Sequence, residues 1–281
     1  MITIKAPAKI NLTLEVLRKR SDGYHEIRSV LQTVDLCDTL RIESGKHISF
    51  QCDIPGWSAK NSLLSKAIKL LQKAAGGKHG AAVSLEKRIP LLSGLGGDSS
   101  DAAALLKGLN DFWGLNLSYE KLKELAARLG SDVPFFLKGG TALAESRGEI
   151  ISPLPPLQEL WVLITVPDFK VSPFKTARMY ANINASHFTD GSVTDRLVAA
   201  IKEGKTPDAS LLFNVFKNIA FHVYSGLLLF NIGLIKVGVC GVYLAGSGPA
   251  LFAVFKEKSQ AEELYQRCQA QGIKSYLAAT I

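Results

Sequence analysis

The alternation of apolar and polar residues near the start of the chain predicts a β-strand. Between Ala8 and Val16 the two kinds of residue follow each other with a period of two, which is typical of a strand with one buried face. The apolar set is Ala8, Ile10, Leu12, Leu14 and Val16, and the polar set is Lys9, Asn11, Thr13 and Glu15. We therefore expect a half-buried strand here.

Other segments have the spacing of helices and strands in no strict βαβ order. Ser118 is a suitable N-cap for a helix whose apolar residues recur at helical spacing up to Gly130. The predicted helices are residues 62–75, 101–112 and 118–130, and the predicted later strands are residues 83–85 and 161–166. The proline-rich residues 153–156 are a candidate domain boundary. This mixture predicts an α+β fold.

Composition and charge narrow the classes of partner. Of 281 residues, 47% are hydrophobic and 21% are charged, as in a globular protein with a core. The formal net charge of +8 favours anionic partners, which include nucleic acid, membrane surfaces and phosphorylated small molecules. The basic residues are scattered, however, and the densest run is Arg18, Lys19 and Arg20. This distribution does not favour a nucleic-acid binder.

Cysteine spacing and apolar runs indicate a cytoplasmic protein. The cysteines have no CxxC spacing, so we expect reduced thiols and no zinc site; they are Cys37, Cys52, Cys240 and Cys268. The N-terminus has no signal-peptide pattern. The apolar residues 227–245 are interrupted by Asn231 and Lys236, so we expect buried core there and no membrane span.

A glycine-rich run between a predicted strand and a predicted helix is the most informative segment. Glycine backbone N–H groups can surround an anion, and the helix N-terminus that follows adds positive potential. The serine hydroxyls can donate to phosphate oxygens or help to hold Mg²⁺. The run consists of Pro90, Leu91, Leu92, Ser93, Gly94, Leu95, Gly96, Gly97, Asp98, Ser99 and Ser100.

Two common nucleotide-binding loops do not match this run. It has no GK[ST] ending, which excludes a Walker A loop, and Ser99 stands where the dinucleotide fingerprint needs its last glycine. An ordinary loop that caps a helix is the alternative. The density of glycine and serine favours phosphate binding.

Three motifs in order give the chain a resemblance to the GHMP kinase superfamily. The glycine-rich run resembles its phosphate loop, P-x-x-x-G-L-G-x-x-S-S, and residues 244–249 (LAGSGP) resemble its third motif, a turn that supports that loop. Residues 7–12 (PAKINL) and 22–25 (DGYH) resemble the branch that phosphorylates 4-diphosphocytidyl-2-C-methyl-D-erythritol in the non-mevalonate isoprenoid pathway. The resemblance extends over essentially the whole chain.

The resemblance implies a fold and a reaction. It implies a two-domain α+β kinase, with an ATP-binding domain at residues 1–150, a substrate domain at residues 151–281 and the active site in the cleft between them. The reaction transfers the γ-phosphoryl group of ATP to the 2-hydroxyl of the cytidyl substrate with Mg²⁺, whose ligands stay unknown. The partners are ATP and that substrate, without nucleic acid or membrane, in a monomer or a homodimer.

The resemblance also implies a catalytic pair. It gives Asp132, in the sequence GSDVP, the role of general base. Lys9 would keep Asp132 ionised, orient it and offset charge on the transferred group. Without the resemblance, Lys9 would be a solvent-facing residue on an amphipathic strand, and Asp132 a helix cap ahead of Pro134.

Substrate contacts follow from the same resemblance. Tyr24 and His25 correspond to the cytosine-recognition segment, since an aromatic face stacks on a pyrimidine and an imidazole can contact its polar edge. Thr176 and Tyr180 fit a T-x-x-x-[FY] element, in which Tyr180 is a second wall around cytosine or, alternatively, a core aromatic. Asn11 is expected near substrate hydroxyls or phosphate, and Asn61 near adenine.

One departure and two rival functions stay open. The superfamily usually has glycine where this chain has Asp98, whose carboxylate would repel phosphates unless it points outward or shares the Mg²⁺. A GHMP kinase acting on mevalonate or homoserine is the nearest rival, although such acyclic acids need no stacking residue such as Tyr24. The rival from another class is a non-catalytic nucleic-acid binder that uses the net charge.

Overall fold

The chain is described here by a computed structural model. It describes residues 1–55, 57–60, 62–77, 79–169, 171–172, 174–207 and 209–281. Its residues form two compact units, and each contains both helices and strands. The first unit consists of residues 1–8, 37–91 and 96–139, and the second of residues 9–36, 92–95 and 140–281. The α+β class is confirmed, whereas the functional division at residue 150 stays a prediction.

Twelve strands and eight α-helices are described. The strands are β1 (Ile2–Asn11), β2 (Thr13–Lys19), β3 (His25–Glu43), β4 (Ile48–Cys52), β5 (Ala81–Glu86), β6 (Thr141–Ser146), β7 (Ile150–Pro153), β8 (Trp161–Thr165), β9 (Phe213–Asn214), β10 (Tyr243–Leu244), β11 (Leu251–Phe255) and β12 (Ser275–Ala279). The helices are α1 (Leu63–Ala74), α2 (Gly97–Phe112), α3 (Tyr119–Leu129), α4 (Lys175–Ala181), α5 (Ser192–Lys202), α6 (Phe216–Val223), α7 (Leu227–Val237) and α8 (Lys258–Ala270). Short 3-10 helices lie at Phe135–Leu137, Ala185–His187 and Ala209–Leu211.

In the first unit, helices α1, α2 and α3 pack together, and strands β4 and β5 belong to the same sheet as β3. β5 pairs in parallel with β4 and antiparallel with the C-terminal part of β3, with Ile42 opposite Val83. The Ser62 hydroxyl accepts from the Ser65 N–H and caps α1, and Ser118 caps α3 in the same way. The predicted bounds of these two helices are confirmed within one or two residues.

Helix α2 begins earlier than predicted. We expected its first residue at Asp101, but it begins at Gly97 after an N-cap glycine, Gly96, with φ of 78°. Asp98, Ser99 and Ser100 therefore lie in its first turn. The first N–H groups of a helix have no acceptor within it, so this turn presents donors at the end of the glycine-rich run.

The strands of the second unit belong to two sheets. In one sheet β3 pairs antiparallel with β6 and with β2, and β2 pairs in parallel with β9. The other has the order β10-β11-β8-β12 and is antiparallel throughout. Helix α8 packs on this second sheet, and α7 packs against α8. The predicted strand at residues 161–166 is confirmed as β8.

The prediction for residues 8–16 is wrong in two respects. The segment forms the end of β1 and the start of β2, separated at Leu12, and all nine of its residues are buried. Both faces are therefore covered, and polar side chains that a half-buried strand would direct to water are enclosed. Hydrogen bonds between them, described below, replace the water that they lose.

The apolar residues 227–245 are less buried than we expected. In α7, Leu227 and Leu234 are buried, but Leu228, Leu229 and Ile235 are exposed. Among the described residues, no single helix has the length and hydropathy to span a membrane. Helices α6 and α7 would meet both criteria only as a pair, and they are bent by 113° at their junction.

Candidate active site

Two residues of the glycine-rich run, Ser93 and Leu95, form backbone hydrogen bonds with other residues of the second unit. The Leu95 carbonyl accepts from the Lys9 backbone N–H at 2.9 Å, and the Ser93 carbonyl accepts from the Ala250 N–H at 3.0 Å. Both residues are buried, whereas Leu91 and Leu92, which precede them in the chain, are exposed. The loop is therefore anchored by its backbone to the start of the chain and to the residue before β11.

The third motif approaches this loop so closely that a side chain at Gly94 is excluded. Gly94 has φ of 95°, and a Cβ there would lie 2.1 Å from the Ala245 carbonyl oxygen. A Cβ at Gly246 would lie 3.0 Å from the Gly94 carbonyl oxygen. Since both glycines have a positive φ and a close backbone neighbour, their lack of a side chain is a requirement of this turn. The third motif therefore packs directly against the glycine-rich run, while phosphate binding by that run stays a prediction.

Side chains from distant parts of the second unit fix the third motif. Asn214 donates from Nδ2 to the carbonyls of Leu244 and Gly246, both at 2.8 Å. The Tyr224 hydroxyl donates to the Ser247 carbonyl at 2.7 Å. Burial raises the pKa of Tyr224 to about 12, so this hydroxyl keeps its proton at neutral pH. Sequence reasoning missed both residues, because neither stands in a motif.

Thr176 also lies at the third motif. Its hydroxyl is 2.9 Å from the Ser247 hydroxyl, and its neighbour Lys175 donates from Nζ to the same hydroxyl at 3.0 Å and to the Gly248 carbonyl. Lys175 is buried, and it was not among the predicted site residues. The start of α4 therefore contacts the turn that supports the loop.

The first turn of α2 contains a buried serine hydroxyl. The Ser100 Oγ atom is buried and has no hydrogen-bond partner within the described part of the chain. The Asp98 side chain is 68% exposed, and its Oδ1 lies 3.7 Å from Lys87 Nζ. Asp98 thus points outward beside a cation, which is one of the two arrangements that would relieve its repulsion of phosphate.

A buried ion cluster lies behind this turn in the first unit. Lys87 Nζ is 2.5 Å from Asp38 Oδ2 and 2.7 Å from Asp101 Oδ2, and all three side chains are at most 2% exposed. Asp38 Oδ1 also accepts from the backbone N–H groups of Arg88 and Ile89. The cluster joins the end of β5 to the first turns of α2. It too was missed from the sequence, since its members are far apart along the chain.

Lys9 is enclosed in the second unit and not solvent-facing. The residue is 4% exposed, and Nζ donates to Asn11 Oδ1 at 2.7 Å. A Cβ at Gly246 would lie 3.2 Å from Lys9 Nζ, so the ammonium group is next to the third motif. The alternative of a surface lysine on an amphipathic strand is therefore wrong. Asn11, expected at substrate, is a direct neighbour of the lysine.

Asp132 lies in a turn of the first unit. It follows α3 and precedes the 3-10 helix Phe135–Leu137, in a turn in which the Val133 N–H donates to the Gly130 carbonyl. The residue is partly exposed. A carboxylate on a turn with some access to solvent can contact a substrate hydroxyl. The position of Asp132 therefore suits the catalytic role, which stays a prediction.

Aromatic residues cluster around the DGYH segment. The His25 and Tyr180 rings are stacked with centroids 5.1 Å apart, and Tyr180 also meets Phe216 edge-on. Tyr24 is 56% exposed, with the Arg147 guanidinium 5.0 Å from its ring centroid. Burial, and secondarily the charge of Lys19, lower the pKa of His25 and favour a neutral imidazole. A neutral ring has one donor and one acceptor nitrogen, as recognition of a base edge requires.

Asn61, which we expected near adenine, lies outside the described residues.

Within the described ranges, no group of three or more His, Cys, Asp or Glu side chains could hold a metal ion. Ser100 is nonetheless a suitable ligand. Mg²⁺ takes hard oxygen ligands and in kinases is bound largely through substrate phosphates. One buried hydroxyl oxygen that has no partner in the described part of the chain fits this use.

Comparison with known proteins gives matches along the whole chain. Residues 62–140 match the GHMP kinases N terminal domain, and residues 232–274 match the GHMP kinases C terminal domain. A 4-diphosphocytidyl-2-C-methyl-D-erythritol kinase of Dehalococcoides mccartyi is 46% identical over 281 residues, covering 100% of this chain and 99% of that protein. One from Gloeobacter violaceus is 38% identical over 268 residues, covering 93% and 88%.

Solved structures show the same likeness. A crystal structure of 4-(cytidine 5'-diphospho)-2C-methyl-D-erythritol kinase has a TM-score of 0.83 and 30% identity, and 99% of each chain is covered. The homoserine kinase of Cytophaga hutchinsonii has a TM-score of 0.75 at 20% identity, with 100% of this chain and 94% of that one covered. At that identity the second likeness shows the fold alone.

Proposed function

Because the chain belongs to the 4-diphosphocytidyl-2-C-methyl-D-erythritol kinase family of the GHMP kinases and is an ATP-dependent small-molecule kinase, we propose a substrate and residue roles for it. We propose that it transfers the γ-phosphoryl group of ATP to the 2-hydroxyl of 4-diphosphocytidyl-2-C-methyl-D-erythritol, with Asp132 as general base and Lys9 as the cation of the site. The observation that carries this proposal is 46% identity along essentially the full length of a kinase named for that substrate.

Residues 90–100 are proposed to hold the triphosphate of ATP. The loop backbone is anchored at Ser93 and Leu95, and it leads directly into the N-terminus of α2. N–H groups there have no acceptor within the helix, and the helix dipole adds about half a positive charge. Both features favour phosphate, as anions bind readily at such helix ends.

Mg²⁺ is a further part of the proposal. We expect the Ser100 hydroxyl to hold it together with oxygens of ATP, because that hydroxyl is buried and without a partner among the described residues. When bound, the ion neutralises charge on the phosphates during transfer. Asp98 is exposed and paired with Lys87, so it need not oppose the phosphates.

Asp132 and Lys9 are proposed to carry out the proton and charge chemistry. As the 2-hydroxyl oxygen bonds to the γ-phosphorus, Asp132 takes its proton, and the bond from that phosphorus to the β–γ bridging oxygen breaks to release ADP. Lys9 provides a fixed positive charge that favours ionised Asp132 and offsets negative charge on the transferred group. Its position beside Asn11 and Gly246 supports this role.

The exposed ring of Tyr24 is proposed to stack on cytosine, with His25 at the base edge. The stacking of His25 on Tyr180 supports a role for Tyr180 in holding the histidine in place, beside its proposed role as a wall for the base. Thr176 is proposed to act near the substrate through the third motif, where its hydroxyl meets Ser247. Asn11 contacts Lys9 and is proposed to serve substrate hydroxyls as well.

The proposal also includes the domain roles, location, partners and oligomeric state that the sequence predicted. ATP binding is assigned to residues 1–150 and substrate binding to residues 151–281, with the reaction in the cleft between them. The location is the cytoplasm, where ATP is available, and the partners are small molecules with no nucleic acid or membrane. A monomer and a homodimer are both compatible with this proposal.

A coupled ADP-release assay tests the proposal. With Mg²⁺ and ATP, the cytidyl substrate should support turnover, while mevalonate and homoserine at equal concentration should give only background ADP release. Phosphorus NMR of the product should then show one new phosphomonoester. Turnover of mevalonate or homoserine without turnover of the cytidyl substrate would contradict the proposed substrate.

A further inference from the structure

A chain of buried hydrogen bonds leads away from Lys9 within the second unit. Lys9 Nζ donates to Asn11 Oδ1 at 2.7 Å, and Asn11 Nδ2 lies 2.8 Å from Ser29 Oγ. Ser29 Oγ is 2.5 Å from the backbone carbonyl oxygen of Thr13. Lys9, Asn11, Ser29 and Thr13 are all buried. In such an environment each donor and acceptor has to be matched.

The direction of this chain is fixed at its far end. The Thr13 carbonyl oxygen can only accept, so the single proton of the Ser29 hydroxyl is donated there. Ser29 Oγ can then only accept from Asn11, and the NH₂ end of the Asn11 amide has to face it. The carbonyl end of the amide is consequently turned towards Lys9, where it accepts from the ammonium group.

We propose that Ser29 is a positioning residue for Lys9, which it orients by fixing which end of the Asn11 amide faces the lysine. The inference rests on the catalytic role proposed above for Lys9. If Asn11 turned over, its NH₂ group would face the ammonium group, donor against donor, and the Lys9 side chain would have to move. Ser29 itself lies in β3 and need not touch substrate or nucleotide to have this effect.

Removal of the Ser29 hydroxyl tests the inference. In Ser29→Ala the amide loses its acceptor, so we expect kcat to fall roughly 10- to 100-fold, as for a small misplacement of a catalytic group. The KM for ATP should stay within about twofold of the wild-type value, because the residues proposed to bind ATP are unchanged. Ser29→Thr keeps a hydroxyl on the same Cβ and should restore kcat to within about threefold of wild type.

Two controls separate positioning from loss of stability. Thr33 lies four residues further along β3, is buried, and uses its hydroxyl for Gly140 and Ile281 instead of Asn11. Thr33→Val should therefore lower Tm without lowering kcat. In a Lys9→Met background, Ser29→Ala should lower the residual kcat by less than about twofold, because groups that act as one unit are not additive.

A measurement on the wild-type protein keeps the inference testable if Ser29→Ala does not fold. The Asn11 side-chain NH₂ protons should exchange slowly with water and show a nuclear Overhauser effect to the Ser29 β-protons. Fast exchange, or wild-type kcat in a folded Ser29→Ala variant, would overturn the inference. Absence of any turnover by the wild-type protein would instead contradict the proposed function, so the two failures are distinguishable.

Discussion

At the scale of single residues, the proposed site includes a lysine, Lys9, that is almost completely enclosed. Burial of an ammonium group is costly unless acceptors replace the water that it loses. Asn11 Oδ1 at 2.7 Å is one such acceptor, and the polar residues of β2 and β3 continue the network. Hydrogen bonds of this kind hold the ammonium group in one position instead of letting it move with the surrounding water. A fixed charge is what electrostatic stabilisation of a transferred phosphoryl group requires.

Asp132→Asn tests the proton-acceptor role. The amide has nearly the shape of the carboxylate but cannot take the hydroxyl proton, so kcat should fall by roughly 10²- to 10⁴-fold. The Kd for ATP, measured by calorimetry, should change little. A variant with kcat within a few-fold of wild type would show that Asp132 is only part of the turn between α3 and the 3-10 helix.

Tyr24 tests recognition of the cytidyl group. Tyr24→Ala removes a base–aromatic contact of about 1–3 kcal/mol, which corresponds to a roughly 5- to 150-fold higher Kd for the cytidyl substrate. Tyr24→Phe keeps the ring face and should lose much less, and the Kd for ATP should be nearly unchanged in both variants. Equal loss of ATP and substrate affinity in Tyr24→Ala would indicate a structural role for the ring.

At the scale of elements, the sequence predicted correctly those helix bounds that depend on neighbouring residues. Helices α1 and α3 were bounded correctly because serine caps and glycine ends act within a few residues of the helix. The segment from Ala8 to Val16 was predicted as half-buried because alternation does not show what covers its second face. Ser29 and Thr194, far along the chain, are the partners that allow its polar side chains to be enclosed.

The ion cluster between β5 and α2 predicts an unusual pH dependence of stability. Burial is the main cause that raises the pKa of Asp101 to about 7. The positive charge of Lys87 opposes this rise, and the negative charge of Asp38 adds to it. Desolvation would lower the pKa of Lys87, but Asp101 and Asp38 outweigh it and raise the pKa, so the lysine stays charged. With one cation between two buried carboxylates, Asp101 is the group that binds the additional proton.

The sign of the effect follows from comparing the two states. The ordinary pKa of an aspartate in an unfolded chain is about 3.9, so between about pH 4 and pH 7 the folded state binds more protons. This contribution to the free energy of unfolding is present below about pH 4 and is lost as the pH rises through about 7. At about 1.4 kcal/mol per unit of pKa, the loss is on the order of 4 kcal/mol.

Asp101→Asn should remove this dependence. Urea unfolding at several pH values from 5 to 8 should give a free energy of unfolding that falls less steeply with pH in the variant than in the wild type. Lys87→Met is the opposite control, because it leaves two buried carboxylates without their cation and should cost about 3–5 kcal/mol. Parallel pH curves for wild type and Asp101→Asn would contradict the raised pKa.

At the scale of the whole molecule, the parts of the candidate site that a sequence can indicate are those that lie in continuous motifs. The phosphate loop, the PAKIN and DGYH segments and the third motif each consist of neighbouring residues, so a sequence displays them directly. Other elements contribute side chains that contact the third motif, which are Asn214, Tyr224 and Lys175, and Lys87 lies beside Asp98 of the glycine-rich run. Their roles depend on long-range pairing of strands and helices, for which a single sequence contains no comparable local signal.

Ligand binding should stabilise the whole protein, and Ser100 gives a selective test of how it does so. A ligand present at about 100 times its Kd adds about 2.7 kcal/mol to the free energy of unfolding, which for a chain of this size is a rise in Tm of roughly 5 °C. We expect such a rise with ATP and Mg²⁺, and separately with the cytidyl substrate.

Ser100→Ala should abolish most of the first rise and keep the second. The Ser100 hydroxyl has no partner among the described residues, so its removal leaves no other buried polar group unpaired and should not lower the Tm of the free protein. Tyr24→Ala is the matched counterpart, and it should keep the rise with ATP and Mg²⁺ and lose that with substrate. If Ser100→Ala lowered the Tm of the free protein by several degrees, the hydroxyl would have a structural partner. If it kept the full rise with ATP and Mg²⁺, Ser100 would have no part in nucleotide or metal binding.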